Sequence, residues 1–154
     1  MSSQRMGIFV ATMTGTAELC AEEIARVLQA EGIATELQTM DGLGPDALEP
    51  FQQVVIVSST YGHGDIPDNG QALFAALEAS DRLSELRFAV FGLGDRTYAA
   101  TFCEGGRKWD ALFAAKGAAR FATLYQHDAS SGTLAEDEAA RWASGWAPHL
   151  KAAA

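Results

Sequence analysis

Hydroxyl side chains gather directly after the first apolar run of the chain, in the stretch Thr12-Met-Thr-Gly-Thr16. A helix is predicted to begin at Ala17. The hydroxyls would therefore meet the backbone N–H groups of a helix N-terminus, where proteins bind anions. The stretch lacks the lysine of a nucleoside-triphosphate loop and the three glycines of a dinucleotide motif. It suits a monophosphate held by hydrogen bonds, and it suits equally an ordinary turn in which Thr16 caps the helix.

Two further loops each carry a tyrosine close to glycines, Tyr61 in one and Tyr98 in the other. Glycine allows the backbone to approach a ligand closely or to change its conformation. Two aromatic faces beside a phosphate loop would enclose a flat heterocycle that a short chain joins to a phosphate. The alternative for the earlier loop is a turn with a half-buried tyrosine, in which His63 is a solvated residue rather than a ligand.

The elements that must position these loops follow from the apolar periodicity of the chain. Strands are predicted at residues 6–11, 33–38, 54–58, 88–91 and 120–125. Helices are predicted at residues 17–30, 69–79, 105–115 and 135–150. This alternation indicates an α/β fold, a doubly wound parallel sheet of five strands with helices on both faces. The loops after the first, third and fourth strands then meet at the carboxyl edge of the sheet, where such folds bind ligands.

The composition limits the class of protein. With 154 residues, 48% of them hydrophobic, the chain suits a single domain over residues 1–154. Its net charge of -9 disfavours binding to nucleic acid and favours a partner with a basic patch. Cys20 and Cys103 form no zinc-binding pattern, and we expect packed thiols in a reducing compartment. Without a signal-peptide core or a long apolar run, the chain is expected to be cytoplasmic and without a membrane span.

Three motifs resemble the flavodoxin family. Thr14-Gly-Thr-Ala-Glu18 is similar to the phosphate loop in the FMN domains of diflavin reductases. Ser59-Thr-Tyr-Gly-His-Gly-Asp65 with Asp68-Asn69 resembles their second loop, and Phe91-Gly-Leu-Gly-Asp-Arg-Thr-Tyr98 resembles their third. The resemblance covers nearly the whole chain and is strongest to short-chain flavodoxins of the MioC type. It implies FMN as the cofactor and a strand order of 2-1-3-4-5.

The resemblance also implies which residues bind the cofactor. Tyr61 and Tyr98 would stack on the two faces of the isoalloxazine ring. A flip of the Gly62 peptide would offer a hydrogen bond to ring atom N5. The residues that would hold the phosphate are Thr12, Met13, Thr14, Gly15, Thr16 and Ala17. The residues that would line or adjoin the ring are Thr60, Gly62, Gly64, Leu93, Gly94, Asp95, Phe102, Cys103 and Asp128.

The activity that the resemblance implies is one-electron transfer, not catalysis. The donor would be an NAD(P)H-dependent flavodoxin or ferredoxin reductase, and the acceptor a haem-thiolate monooxygenase. The acceptor would dock on an acidic face around the flavin, formed by Asp65, Asp68, Asp95 and Glu104. We expect a monomer. We also expect the short-chain form, because residues 117–134 leave no room for the loop that splits the last strand of long-chain flavodoxins.

Other functions remain to be weighed against this one. The acceptor could instead be an iron–sulfur or radical enzyme. A small FMN-dependent quinone reductase is a second alternative, although the chain leaves no room for a second domain that would bind NADPH. A subunit of a larger reductase is a third. A signalling receiver domain is excluded, because Ala11-Thr12 and Ser58-Ser59 stand where that class needs acidic residues.

Overall fold

The structure, a computed structural model, describes residues 5–12, 15–61, 64–80 and 82–153. The longer strands are β1 (Met6–Ala11), β2 (Thr35–Thr39), β3 (Gln53–Ser58) and β4 (Arg87–Gly94), and two short strands, β5 (Ala119–Arg120) and β6 (Tyr125–Asp128), follow. The helices are α1 (Thr16–Ala30), α2 (Asp68–Glu78), α3 (Glu104–Ala115) and α4 (Ala135–Ala153). Short 3₁₀ turns occupy Pro45–Leu48, Arg82–Glu85, Arg96–Thr101 and Ala129–Ser131.

All described strand pairs are parallel, and the sheet has the order β2-β1-β3-β4-β5, with β6 also paired to β4. Every residue of β1 and all of β3 except Gln53 are buried, as the continuous apolar run of β3 predicts. Register brings their carboxyl ends level, because Ala11 pairs with Ser58 and Ser58 pairs with Gly92. The predicted fold class and strand order are therefore confirmed, and the three loops leave the sheet side by side.

Helices cover both faces of the sheet. On one face, α1 and α4 bury Ile24, Leu28 and Trp146 against β1, β3 and β4. On the other face, α2 and α3 bury Leu73 and Trp109 in a second cluster. Among the described residues, no helix combines the length and the apolar character needed to cross a bilayer.

The end of α1 displaces the second strand from its predicted start. Gly32 has φ +83°, and the N–H of Ile33 donates to the carbonyl of Leu28 at 3.0 Å. Together with the bond from Gly32 N–H to Gln29 O, this is a Schellman motif, which stabilises the helix end. Ile33 therefore belongs to the helix cap, and β2 begins at Thr35 rather than at residue 33.

The prediction of one continuous last strand at residues 120–125 is wrong. Arg120 pairs with Phe88, and pairing resumes only where Tyr125 meets Phe91. Four residues, 121–124, thus face two residues of β4, so the strand bulges and then extends to Asp128. The remaining predicted elements are present, with ends shifted by at most three residues.

The close approach of α3 to β4 depends on two glycines. A Cβ atom on Gly106 would lie 2.7 Å from the Cα atom of Gly92, closer than any real contact of this kind. Because α3 follows the third loop directly, this contact fixes the height of the helix above the carboxyl edge of the sheet.

Gly106→Ala should therefore destabilise the fold by about 1–3 kcal/mol, since the backbone must shift to admit a methyl group. Urea unfolding measures the change. Gly145→Ala in α4 is the matched control, because a Cβ atom added there would meet nothing within 4 Å. That change should stabilise the helix by roughly 0.5–1 kcal/mol. Equal effects of the two substitutions would contradict the packing argument.

Candidate functional site

A cavity of about 600 Å³ opens at the carboxyl edge, where the loops after β1, β3 and β4 converge with the end of β6. Its size is within the usual range for a cofactor or drug-sized ligand. Seven predicted site residues line it: Thr16, Thr60, Tyr61, Leu93, Gly94, Asp95 and Tyr98. A second cavity of about 500 Å³ lies near the opposite edge, beside Leu48 and Leu86, away from the three loops.

The first loop presents backbone donors to this cavity. Gly15 adopts φ +94°, and its N–H donates to Thr12 Oγ1 at 3.0 Å. Helix α1 begins at Thr16, one residue earlier than predicted, and no described side chain caps it. Its first N–H groups, including that of Ala17, are therefore free to bind an anion. The predicted phosphate ligands Met13 and Thr14 lie outside the described residues.

Asn69, in the first turn of α2, supports the first loop from the side. Its Oδ1 accepts a hydrogen bond from the backbone N–H of Thr12 at 3.0 Å. Its Nδ2 contacts the carbonyl of Val10 and a carboxylate oxygen of Asp41, both at 3.4 Å. The position of the phosphate loop is thus set by a side chain that follows the second loop.

Two tyrosines stand exposed at the cavity, Tyr61 at 45% and Tyr98 at 68%. Two exposed aromatic rings beside one cavity form a surface that suits a flat ligand. Backbone bonds between Tyr61 and Asp65, at 2.8 and 2.7 Å, close the second loop, and Gly64 turns with φ +98°. Gly62, the residue of the predicted peptide flip, lies outside the described residues.

Thr60 joins the second loop to the third loop and to α3. Its hydroxyl donates to the carbonyl of Leu93 at 2.9 Å and accepts from the N–H of Gly105 at 3.0 Å. Gly105 must be a glycine for this contact, since a Cβ there would lie 2.3 Å from the carbonyl oxygen of Ser59. One side chain thereby holds three segments of the cavity wall together.

The two acidic residues predicted near the ring organise the third loop. Asp95 Oδ1 accepts from the N–H of Thr97 at 2.8 Å. Asp128 Oδ1 accepts from the backbone N–H of Arg96 at 3.0 Å and from the N–H and hydroxyl of Ser130. The bond from Arg96 is the main cause that lowers the pKa of Asp128, and partial burial opposes it. Asp128 is thus an anchor for the loop, while the cavity itself is lined by its neighbours His127 and Ala129.

Phe102 and Cys103 lie behind the third loop. The guanidinium of Arg96 stacks 4.3 Å from the centre of the Phe102 ring. Cys103 is fully buried, adopts a left-handed φ of +54°, and places its Sγ 3.5 Å from the carbonyl of His127. Burial raises the pKa of the Cys103 thiol to about 12. Neither side chain is among the described residues that line the cavity, and their predicted contact with the ring stays a prediction.

Sequence reasoning missed four residues that line the cavity: Ser59, Thr101, His127 and Ala129. The first two stand beside residues already singled out, so the motifs offered a signal for them. His127 and Ala129 flank Asp128, which was also singled out, but the predicted last strand ended at Tyr125 and gave no orientation for them. The bulge in that strand decides which later residues reach the carboxyl edge.

Comparison with known proteins agrees with this geometry. The sequence matches the family described as Flavodoxin over residues 8–142. It is 36% identical to Flavodoxin YqcA of Escherichia coli, across 92% of this chain and 95% of that protein. It is 34% identical to the sulfite reductase [NADPH] flavoprotein alpha-component of Vibrio parahaemolyticus, across 86% of this chain and 22% of that protein. The solved structure of a cysteine mutant of flavodoxin from Pseudomonas aeruginosa has 31% identity and a TM-score of 0.84, covering 96% of this chain and 99% of that one.

The fold and the cavity define a parallel α/β domain built to hold a flat, phosphate-bearing ligand. The chain belongs to the flavodoxin family. The expected likeness to short-chain flavodoxins and to diflavin reductases is confirmed, and so is FMN as the cofactor of an electron carrier. The described residues fit FMN, since uncapped helix N–H groups at Ala17 and exposed rings at Tyr61 and Tyr98 suit a phosphate and a flat ring respectively.

Thr60→Val should destabilise the protein by about 1–3 kcal/mol and weaken FMN binding. The isosteric change leaves the carbonyl of Leu93 and the N–H of Gly105 without their partner. Urea unfolding and quenching of FMN fluorescence measure the two effects. Thr123→Val is the control, because that exposed hydroxyl makes no hydrogen bond to a described residue. If the control loses as much of either property, the bridging role of Thr60 is refuted.

Tyr98→Leu should weaken FMN binding by about twofold to tenfold, the value of an aromatic contact beyond simple burial. The stability of the apoprotein should change by less than about 0.5 kcal/mol, because the ring is 68% exposed. Tyr98→Phe keeps the ring and should bind FMN nearly as the natural protein does. If the leucine variant binds FMN with full affinity, Tyr98 does not contact the cofactor.

Proposed function

We propose that this flavodoxin carries single electrons from an NAD(P)H-dependent flavodoxin or ferredoxin reductase to a haem-thiolate monooxygenase. The observation that carries the proposal is the exposure of Tyr61 and Tyr98 at the mouth of the cavity. A flat ring held between these side chains would be accessible from the protein surface, within reach of a docked partner. FMN supplies the one-electron redox chemistry when bound, and the chain binds it, orients it and limits its contact with water.

Charges around the cavity support docking to a basic surface, but they are not uniformly acidic. Asp68 is exposed at the start of α2. Asp65 lies 3.9 Å from Lys108, and Glu104 lies 3.8 Å from Arg107. Such exposed pairs are weak and leave most of the carboxylate charge available to a partner. We infer a docking face of mixed sign, in which α3 supplies cations that help to set the orientation of the partner.

The wider setting of the protein is part of the same proposal. We infer a monomeric carrier without an enzymatic activity of its own, folded as one unit and working in the cytoplasm. Both cysteines, Cys20 and Cys103, are free and buried, which suits a reducing compartment. An iron–sulfur or radical enzyme as acceptor, and a quinone reductase activity, are the alternatives that the experiment must separate.

The test is rapid mixing of the pre-reduced, FMN-loaded protein with candidate acceptors under anaerobic conditions. A haem-thiolate monooxygenase should be reduced, as its carbon monoxide adduct reports, and the rate should fall as salt rises. Asp65→Asn with Asp68→Asn should slow this reduction about threefold to tenfold at low salt, because steering is weakened. Glu31→Gln with Glu85→Gln removes the same charge near the opposite edge of the sheet and should leave the rate unchanged.

Three outcomes would go against the proposal. Reduction of an iron–sulfur enzyme but not of the haem-thiolate enzyme would show that the acceptor is an iron–sulfur enzyme instead. Steady oxidation of NADPH by the pure protein with a quinone would favour the enzymatic alternative. A rate that does not respond to salt or to the paired substitutions would remove the electrostatic docking face.

A further inference from the structure

A buried hydrogen-bond network lies where β6 meets the first turn of α4. Glu138 Oε1 accepts from the hydroxyl of Tyr125 at 2.8 Å and lies 2.9 Å from Nδ1 of His127. Glu138 Oε2 accepts a hydrogen bond from the hydroxyl of Thr133. The side chain of His127 is only 4% exposed and that of Glu138 only 11%. Burying a carboxylate and an imidazole costs free energy unless both are hydrogen-bonded. Here three donors point to one carboxylate.

The charge on Glu138 follows from these contacts. Burial alone would raise its pKa, but hydrogen bonds from His127, Thr133 and Tyr125 outweigh burial and lower the pKa. The first turn of α4 adds a favourable helix dipole for a negative charge. Glu138 is therefore ionised at neutral pH, and an ionised carboxylate can only accept hydrogen bonds.

The tautomer of His127 follows from the charge on Glu138. Nδ1 must carry the proton that it donates to the carboxylate. In the neutral imidazole, Nε2 is then the unprotonated nitrogen and can only accept a hydrogen bond. The other titratable neighbours are the Tyr125 phenol in the same network, the Cys103 thiol at the carbonyl of His127, and the adjacent Asp128, whose carboxylate is held by Arg96 and Ser130.

The network uses only one of the two ring nitrogens of His127, and His127 lines the cofactor cavity. Within the part of the chain that the structure describes, no group hydrogen-bonds to Nε2. This nitrogen is also not fully enclosed, unlike the four buried polar atoms among the described residues that lack a partner. Side chains of a strand alternate, so His127 lies on the same face as Tyr125, beside its register partner Leu93. Both His127 and Leu93 line the cavity, together with Thr16 of the phosphate loop.

We propose that His127 is a cofactor-binding residue of this chain: Glu138 fixes the imidazole as the Nδ1–H tautomer, and Nε2 accepts a hydrogen bond from FMN. The donors that FMN offers are the hydroxyls of its ribityl chain and the imide N–H of its ring. The proposal commits to a ribityl hydroxyl, because His127 shares with Tyr125 the sheet face that α1 and α4 cover, and α1 begins at Thr16 at the phosphate end. It rests on FMN as the cofactor and is independent of the electron acceptor.

A purely structural role for the network makes different predictions. It would explain the bonds to Tyr125 and Thr133, and it would make loss of His127 destabilising. Under a purely structural role, the Nε2 resonance would not change when FMN binds. The experiment must therefore read the nitrogen itself and the affinity for FMN, apart from the stability of the fold.

The first measurement is a ¹⁵N NMR spectrum of the natural chain with labelled histidines, in mildly alkaline buffer, before and after FMN is added. The chain has only 3 histidines, so assignment is direct. The spectrum should show His127 with a protonated Nδ1 and an unprotonated Nε2. Addition of FMN should shift the Nε2 resonance upfield, as acceptance of a hydrogen bond does. Riboflavin, which keeps the ribityl hydroxyls, should shift it in the same direction, while lumiflavin, which lacks them, should not.

Two amide variants separate the two ring nitrogens. His127→Asn keeps a donor near the Nδ1 position, and His127→Gln places an amide near the Nε2 position. The asparagine variant should bind FMN about threefold to tenfold more weakly, the net effect of one hydrogen bond. The glutamine variant should recover most of the affinity. His149→Asn on the exposed face of α4 is the matched control and should bind FMN as the natural chain does.

The proposal is overturned by an Nε2–H tautomer or an imidazolium in the natural chain. It is also overturned by an Nε2 resonance that FMN leaves unmoved, or by full FMN affinity in the asparagine variant. A shift with lumiflavin as large as with FMN would contradict the ribityl assignment. The NMR arm needs no substitution, so a variant that fails to fold does not decide the matter. None of these readouts involves electron transfer, so failure here is distinct from failure of the proposed function.

Discussion

The site depends on the register of a parallel sheet. Ala11, Ser58 and Gly92 lie level on neighbouring strands, and the three loops that start beyond them can meet only because they do. A one-residue slip in any pair would turn the apolar side chains of a central strand to the opposite face. Because β1 and β3 are close-packed on both sides, such a slip would place side chains of the wrong size and shape against each layer of helices. Hydrophobic packing thereby fixes the place where the cofactor is bound.

The loops are then held against each other by backbone contacts more than by side chains. A Cβ atom added to Gly94 would lie 2.4 Å from the backbone nitrogen of Cys103, and one added to Gly105 would lie 2.3 Å from the carbonyl oxygen of Ser59. Thr60 and Asn69 supply the few side-chain bonds that join one loop to the next. These segments of the cavity wall lie so close together that few substitutions are tolerated at the two glycines, because each contact excludes even a methyl group.

The sequence allowed the fold class, the three loops and most of the cavity wall to be predicted, since these depend on periodicity and on short motifs. Gly32 indicated where α1 ends, but the sequence did not predict that this cap includes Ile33 and delays β2, or that a bulge splits the last strand. Both depend on backbone conformations that leave no mark on apolar alternation. His127 was not singled out although it stands beside Asp128, because its side of the sheet is decided by the bulge at residues 121–124. Phe102 and Cys103 illustrate the converse, in which a motif places residues near a loop without deciding which way they face.

Charge balance explains why a network such as that of His127 and Glu138 belongs beside this cavity. The chain carries a net charge of -9 and no lysine in its phosphate loop, so it must hold an anionic cofactor with neutral donors and acceptors. Each such group contributes only about 0.5–1.5 kcal/mol, and its direction must be fixed in advance to contribute at all. A carboxylate that orients an imidazole provides that direction while staying buried. The motifs shared with the family bring the cofactor to the carboxyl edge, and residues on the bulged strand are free to adapt how it is held.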